Sequence, residues 1–220
     1  MTILYKLTDQ NYRTDNGPQW GKGIEHTALG EGRIFRSGWL QAYTHSLLAV
    51  LLTPTHEKIS APVLWIAEGD VGIDDGLRVG CTRLRTLEIV QFPEITLEQR
   101  VHFGILCALK VYFEPSFVSW AQKWLSGENR WEEAAGAVAW AAKAAVWADA
   151  DVAVAAIYAA VFAAWAAEEA ARGEYAAAPR VAYAAAVAAE EAVKDAAESG
   201  KTIDLIALAE KATSAGDGEK

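Results

Sequence analysis

The sequence has little of what most catalytic and metal sites are built from. Its two cysteines, Cys81 and Cys107, lack CxxC or Cys/His spacing, which indicates reduced thiols rather than a zinc or disulfide framework. There is no Walker phosphate loop and no G-x-S-x-G nucleophile motif. No two histidines have the H-x-H or i, i+4 spacing of a metal site. We therefore expect no catalytic residues, no metal and no cofactor.

The sequence also lacks a clear targeting or membrane segment. The first ten residues have no basic region followed by an apolar run, so we expect no secretory signal. The longest apolar run, residues 152–167, is shorter than the roughly 20 residues that cross a bilayer and has acidic residues on both sides. These features predict a cytoplasmic protein with a buried central helix and no membrane partner.

Positive charge is scarce in the second half of the chain. Residues 1–130 contain 13 Lys/Arg and 14 Asp/Glu, whereas residues 131–220 contain 7 Lys/Arg and 15 Asp/Glu, which together give the net charge of −9. A surface of net charge −8 repels phosphate backbones, so we expect no binding to long nucleic acids. Any anionic ligand is expected to bind the first half.

Alanine dominates that second half. It accounts for 33 of the 70 residues between 131 and 200, and alanine has the highest helix propensity. The pattern predicts helices at 131–148, 152–172, 175 or 179–199, and 203–213. The segment AAEEA occurs at 166–170 and again at 188–192, a 22-residue repeat typical of an up-and-down bundle.

The first half of the sequence has patterns typical of both strands and helices. Alternating patterns predict strands at 3–7, 63–68 and 83–91, with a turn at Asp74-Asp75-Gly76 and a short helix at 44–52 that ends before Pro54. A capping box, Thr96 with Gln99, predicts a helix through residue 112, and another follows at 115–125. The predicted fold class is α+β: a small mixed α/β domain at 1–94, an alanine-rich antiparallel helix bundle at 95–216, and a flexible tail at 217–220.

Aromatic residues in the bundle form stripes at helical spacing. Trp140 and Trp147 are seven residues apart, and Tyr158, Phe162 and Trp165 lie at i, i+4 and i+7. A cofactor site is one interpretation. We expect instead that these rings fill gaps in the core between alanine-faced helices.

A second aromatic group lies among glycines and arginines in the first domain. Aromatic faces beside arginines can stack a base and bind phosphate. The competing interpretation is that the rings form a compact core and the arginines a solvated face. An open pocket near Trp39, Tyr43 and Arg78 would favour a nucleotide, and a packed region would favour a protein partner. The candidate ligand-binding residues are Trp20, His26, Arg33, Arg36, Trp39, Tyr43, Arg78 and Arg83.

The order of several short segments resembles a known family. These segments are Tyr5-Lys6-Leu7-Thr8-Asp9, Gln19-Trp20-Gly21, Gly38-Trp39-Leu40, Leu64-Trp65 with Glu68-Gly69, and Asp74-Asp75-Gly76-Leu77. They resemble uncharacterised phage and prophage proteins with an alanine-rich tail. The tail, from Trp124-Leu125-Ser126-Gly127 onward, is similar to bacterial proteins described as immunity proteins. The resemblance implies an accessory protein made in an infected bacterial cell.

Two classes of function follow from these observations. The first is a non-enzymatic, homo-oligomeric binding protein, a phage counter-defence factor that sequesters a small cyclic nucleotide signal or blocks a host defence protein through its acidic bundle. The second is an enzyme of ADP-ribosyl type acting on NAD, with His26, Tyr43 and Glu68 as the candidate set. A purely structural phage component is a third interpretation.

Overall fold

The protein has an α+β fold, as the sequence predicts. The computed structural model describes residues 1–14, 17–34, 38–56, 61–148, 154–172 and 177–214. The chain divides into two compact units, Met1–Glu94 and Ile95–Lys220. The first contains strands β1 (Thr2–Thr8), β2 (Glu25–Thr27), β3 (Leu40–Ala42), β4 (Val63–Asp74) and β5 (Val79–Val90), with helix α1 (Ser46–His56). The second contains α2 (Leu97–Ala108), α3 (Pro115–Leu125), α4 (Glu132–Ala148), α5 (Val154–Arg172), α6 (Ala177–Glu198) and α7 (Leu205–Ser214).

A long hairpin of β4 and β5 forms the centre of the antiparallel sheet. Its turn is the predicted one: the Asp74 and Asp75 carboxylates accept backbone N–H groups of Gly76, Leu77 and Arg78 at 2.8–3.0 Å. Gly76 has a φ of 81°, a conformation that glycine adopts without strain. The two aspartates therefore stabilise the turn.

The sheet curls around the core of the first unit. β1 pairs with β4, while β2 and β3 both pair with β5. Tyr5 and Tyr43 exchange two backbone hydrogen bonds of 2.8 Å, which joins β1 to the residue that follows β3. The enclosed side chains include Leu4, Trp20, Ala42, Ala67, Val79, Cys81 and Leu84.

Helix α1 extends further than predicted. We expected it to end before Pro54, but it continues to His56. A proline lacks one N–H donor, and near the end of a helix this removes a single hydrogen bond that neighbouring turns can compensate. The proline signal was therefore too weak to stop the helix.

The second unit begins with the predicted capping box. Thr96 Oγ1 accepts the Gln99 N–H at 3.1 Å, and Gln99 Oε1 accepts the Thr96 N–H at 2.9 Å. The Gln99 amide also donates to the carbonyl of Thr213 in α7 at 2.7 Å. This hydrogen bond thus links the N-terminal end of α2 to the C-terminal end of α7.

Helix α5 is the centre of the bundle, packed against α2, α4 and α6. Alanines on several sides of α5 are buried, because small side chains let the neighbouring helices approach closely. Within the described residues, α5 is the one helix whose length and hydropathy would suit a membrane span. Of its most apolar 18-residue stretch, 56% is buried inside the protein. That burial is consistent with a soluble protein.

Helix α2 carries a buried histidine. His102 in α2 is only 5% exposed, and its ring meets Trp124 of α3 edge-on at 5.2 Å. Burial lowers the pKa of His102 below the ordinary 6.5, although nearby Glu98 raises it. The unfolded chain therefore binds a proton at this histidine more readily than the folded protein does. The free energy of unfolding is highest above pH 6.5 and decreases as the pH falls toward the lowered pKa of the folded protein.

We expect the pH dependence of stability to decrease when His102 is replaced. Wild-type protein should lose unfolding free energy through this group as the pH falls below the ordinary histidine pKa. His102→Gln removes the titrating ring, so its stability should change less over the same interval. Urea denaturation at pH 7.5 and 5.5 would measure both. Equal losses in the two proteins would contradict a role for His102.

Candidate functional site

Two of the predicted ligand-binding rings lie in the core of the first unit. Trp20 is 1% exposed, and Tyr43 is buried beside β1. The edge of the Trp20 ring meets His26, with 4.7 Å between centroids, and the Lys6 ammonium lies 5.6 Å from the ring centre. Neither Trp20 nor Tyr43 presents a face to a ligand, so the core interpretation describes these two rings.

Trp39 and Arg78 both make close contacts with other residues of the first unit. The Trp39 ring lies on Gly72 and Gly80, where an added Cβ would come within 2.5 and 3.1 Å of Trp39 atoms. Arg78 is 3% exposed and donates to Gln41 Oε1 at 2.8 Å. Arg78 is thus buried, whereas Trp39 is half-buried, so the choice between a nucleotide and a protein partner stays a prediction here.

Arg83 and His26 make contacts within the sheet. Arg83 joins three strands, because it pairs with Asp70 of β4 at 2.9 Å and Glu25 of β2 at 3.0 Å. Its hydrogen bond lowers the pKa of Asp70, and the two carboxylates raise the pKa of Arg83. His26 Nε2 lies 2.9 Å from the Gln19 carbonyl oxygen. The remaining candidates are Arg33, which is exposed, and Arg36, which lies outside the described residues.

The residues of the alternative enzymatic set are held by structural contacts. Glu68 lies 3.8 Å from the Arg85 guanidinium, and the Tyr43 side chain is buried. Among the described residues, no group of three His, Cys, Asp or Glu side chains is placed to hold a metal ion. The first unit thus uses most of the predicted site residues to stabilise its sheet and core.

The aromatic stripe of the bundle faces outward, which corrects the expectation that it fills the core. Trp140 is 64% exposed, Tyr183 is 50% exposed, and Tyr158 and Trp165 are each 37% exposed. The Trp147 side chain lies outside the described residues. The physical reason is size: alanine-faced helices pack too closely to admit a large ring between them, so the rings project to the surface.

Four aromatic rings line an open cleft of about 600 Å³ on the surface formed by α4, α5 and α6. We call it the aromatic cleft. Trp140 comes from α4, Phe162 and Trp165 from α5, and Tyr183 from α6. Phe162 and Trp165 are three residues apart and meet edge-to-face, with centroids 5.2 Å apart. The cleft is therefore built by side chains from three helices of one unit.

Two glutamates and two arginines, with no net charge between them, also line the aromatic cleft, and Glu132 next to it joins their ion pairs. Arg172 pairs with Glu132 of α4 at 2.7 Å, with Glu169 at 3.0 Å, and with Glu168. Arg180 of α6 pairs with Glu169 at 2.5 Å. We call these five residues the charged cluster. With three carboxylates and two guanidinium groups it carries a net charge of −1, and it links α4, α5 and α6.

The carboxylates and guanidinium groups of the charged cluster stabilise each other in their charged forms. The hydrogen bond to Glu132 raises the pKa of Arg172, and the nearby charges of Glu168 and Glu169 raise it further. The side chains of Glu168 and Glu169 are only about one fifth exposed, so solvent screens their charge less than that of a fully exposed carboxylate. Any charged ligand, whether cation or anion, must therefore compete with these internal ion pairs.

A second recess of about 560 Å³ lies beside the aromatic cleft. Its wall includes Trp131, which is 71% exposed, together with Arg130 and Glu132. Because Glu132 lines this recess and Arg172 lines the aromatic cleft, their ion pair lies between the two. An extended ligand could contact both recesses.

The sequence contained part of the signal for this site. Phe162, Trp165, Glu169 and Arg172 recur at intervals of three or four residues, which places them on one face of α5. Nothing local indicates that this face points outward, because alanines surround it on all sides. No protein-family model, curated protein or solved structure matches this chain. Its function is therefore inferred from its own residues.

Proposed function

We propose that the protein is a non-enzymatic binding protein that recognises a basic segment of another protein through the aromatic cleft. The observation that carries this proposal is the cleft itself, where exposed aromatic rings of α4, α5 and α6 lie beside the charged cluster. Large exposed apolar patches of this kind mark interaction sites in soluble proteins.

The composition of the aromatic cleft supports a protein partner. Trp, Tyr and Arg are the residue types most enriched among the energetic hot spots of protein interfaces. The cleft contributes Trp140, Trp165 and Tyr183, together with Arg172 and Arg180. Aromatic side chains supply large contact areas and have few rotatable bonds, so they lose little conformational entropy when a partner docks.

The charge of the helical unit supports a basic partner. Residues 95–220 contain 11 Lys/Arg and 18 Asp/Glu, a net charge of −7, and residues 1–94 contain 9 and 11, a net charge of −2. An acidic surface attracts basic surfaces over several ångströms and raises their association rate. A protein surface that normally binds nucleic acid has the complementary charge.

The resemblance to phage accessory proteins supplies a setting for this interaction. In that setting the protein acts in the cytoplasm of an infected bacterium and blocks a basic surface of a host defence protein. Its acidic bundle would then occupy a surface that otherwise binds nucleic acid. This is the protein-inhibitor form of the counter-defence function.

Capture of a small cyclic nucleotide is the second candidate. Arg172 and Arg180 lie beside rings on which a base could stack, and this combination is one that nucleotide sites use. Three carboxylates already accept hydrogen bonds or ion pairs from these arginines, so a phosphate would have to replace them. The net charge of −7 over residues 95–220 also disfavours an anionic ligand, which supports the protein partner.

Calorimetric titration separates the candidates. The probes are a 12-residue peptide of alternating leucine and Lys/Arg, and a set of cyclic di- and trinucleotides. We expect the basic peptide to bind and Trp140→Ala/Tyr183→Ala to weaken it at least about 30-fold, because truncating a hot-spot residue costs about 2 kcal/mol or more. Phe113→Ala is the matched control, since Phe113 is exposed on the same unit outside the aromatic cleft.

Three results would overturn the proposal. Nucleotide binding that the double variant abolishes would assign the aromatic cleft to nucleotides. Peptide binding equal in the wild type and the double variant would remove the cleft from recognition. A homo-oligomer seen by sedimentation that the double variant dissociates would show that a second copy of this chain occupies the cleft.

A further inference from the structure

The aromatic cleft supplies no net negative charge, so the basic residues of a bound segment need another contact. The two glutamates and two arginines of the cleft pair with each other, and their charges cancel. The second recess, beside the cleft, differs in this respect. The charged residues of its wall are Glu128, Arg130 and Glu132, two acids and one base, which gives a net charge of −1.

Two of the three charged groups in the second recess already have partners. Arg130 pairs with Glu98 at 2.8 Å, and its guanidinium lies 4.9 Å from the centre of the Trp124 ring. Glu132 pairs with Arg172 at 2.7 Å. A ligand could use either group only by breaking an internal ion pair.

Glu128 and Trp131 are the wall residues that keep a free group. In the described part of the chain, the Glu128 carboxylate has no ion pair and no hydrogen bond, and only the Glu128 backbone N–H is bonded, to the Lys123 carbonyl at 2.9 Å. The Trp131 ring is 71% exposed and contacts no other ring or cation among the described residues. A free carboxylate and a free indole ring thus belong to the same recess.

A carboxylate beside an aromatic ring is a combination that binds a cationic side chain. The carboxylate attracts the charge, and the electron-rich face of the indole adds a cation–π attraction. The protein uses the same combination internally, where the Arg130 guanidinium lies over Trp124 and pairs with Glu98. An anion would instead meet the carboxylates of Glu128 and Glu132, which repel it.

We propose that the second recess receives a lysine or arginine side chain of the segment whose apolar residues lie in the aromatic cleft. The cation contacts the Trp131 ring and the Glu128 carboxylate. Only the ion pair of Glu132 and Arg172 lies between the two recesses, so one extended segment reaches both. This inference rests on the proposed function, because it assigns the basic part of the same partner to a second subsite.

Two peptides of equal length test the assignment by calorimetric titration. One half of each peptide alternates serine with leucine and suits the aromatic cleft. The other half alternates serine with lysine in the first peptide, and with acetyl-lysine, which has no charge, in the second. We expect the wild-type protein to bind the lysine peptide at least about fivefold more tightly than the acetylated peptide, because a cation–π contact and an ion pair at exposed sites each contribute up to about that factor.

Variants of the second recess provide the other part of the test. Trp131→Ala/Glu128→Gln should weaken the lysine peptide at least about fivefold and leave the affinity of the acetylated peptide unchanged. Phe113→Ala/Glu210→Gln is the matched control, since it removes an exposed ring and one negative charge from the same unit outside both recesses. The control variant should bind both peptides as the wild type does.

The outcomes separate this inference from the proposed function. If the recess variant binds the lysine peptide as tightly as the wild type, while Trp140→Ala/Tyr183→Ala weakens it, the recess assignment is wrong and the proposed function stands. If the recess and control variants weaken the lysine peptide equally, net charge alone attracts the peptide and the assignment is wrong. If neither peptide binds the wild type, the proposed function fails and the assignment fails with it.

Discussion

Replacing Trp20 with alanine is expected to reduce the free energy of unfolding of the first unit by about 3–5 kcal/mol, the usual cost of removing a large buried ring. The indole is 1% exposed and belongs to the buried cluster that also contains Leu4, Ala67 and Leu84. Its loss would also remove the ring next to the buried Lys6 ammonium. The cavity left behind would be too large for the sheet to close.

Urea denaturation followed by circular dichroism would measure this effect. Trp131→Ala is a matched control, because it removes the same ring from a position that is 71% exposed, and surface substitutions usually change stability by less than about 0.5 kcal/mol. An unfolding midpoint of Trp20→Ala equal to that of the wild type would mean that packing of the Trp20 ring does not stabilise the core. It would also restore Trp20 as a candidate ligand-binding residue.

Replacing Gly104 with leucine is expected to destabilise the helical unit by about 3 kcal/mol, near the upper end of overpacking costs. Gly104 faces α6, where even an added Cβ would lie 3.2 Å from the Ala185 Cα and 3.5 Å from the Ala188 Cβ. A leucine side chain would force α2 and α6 apart. Because an atom of the α6 backbone is the neighbour, a rotamer change cannot relieve the clash.

Gly136 in α4 provides the control for Gly104→Leu. An added Cβ there meets the Glu168 carboxylate at 3.6 Å, which is ordinary contact. Gly136→Ala should therefore stabilise the unit by up to about 1 kcal/mol through helix propensity. Thermal unfolding of the two variants should shift in opposite directions. A Gly104→Leu protein as stable as the wild type would show that α2 and α6 do not approach closely.

The presence of the helices could be predicted because their signals are local, although α2 ends at Ala108 and not at the predicted residue 112. Helix α3 has the predicted bounds, Pro115–Leu125, since Pro115 supplies a preferred first residue and Gly127, with a φ of 78°, follows the end. The alanine-rich helices follow from composition alone. The Thr96 capping box needs only two residues three apart.

Pairings between distant residues could not be predicted in the same way. β2 and β3 are each three residues long, and both depend on β5 for their hydrogen bonds, so no alternation within them signals a strand. The contacts of Arg83 with Glu25 and Asp70 follow from strand register. The orientation of Trp140 and Tyr183 depends on how closely three helices pack, a property of the assembled bundle.

The hydrogen bond between Gln99 and Thr213 has a topological consequence. It holds together two points 114 residues apart in the chain, at the start of α2 and near the end of α7. The helical unit is therefore close to a closed ring, and joining its ends would cost little loop-closure entropy. A unit of this kind can be circularly permuted, with its ends joined by a short linker and new termini opened at a loop between helices, while the order of packing stays the same.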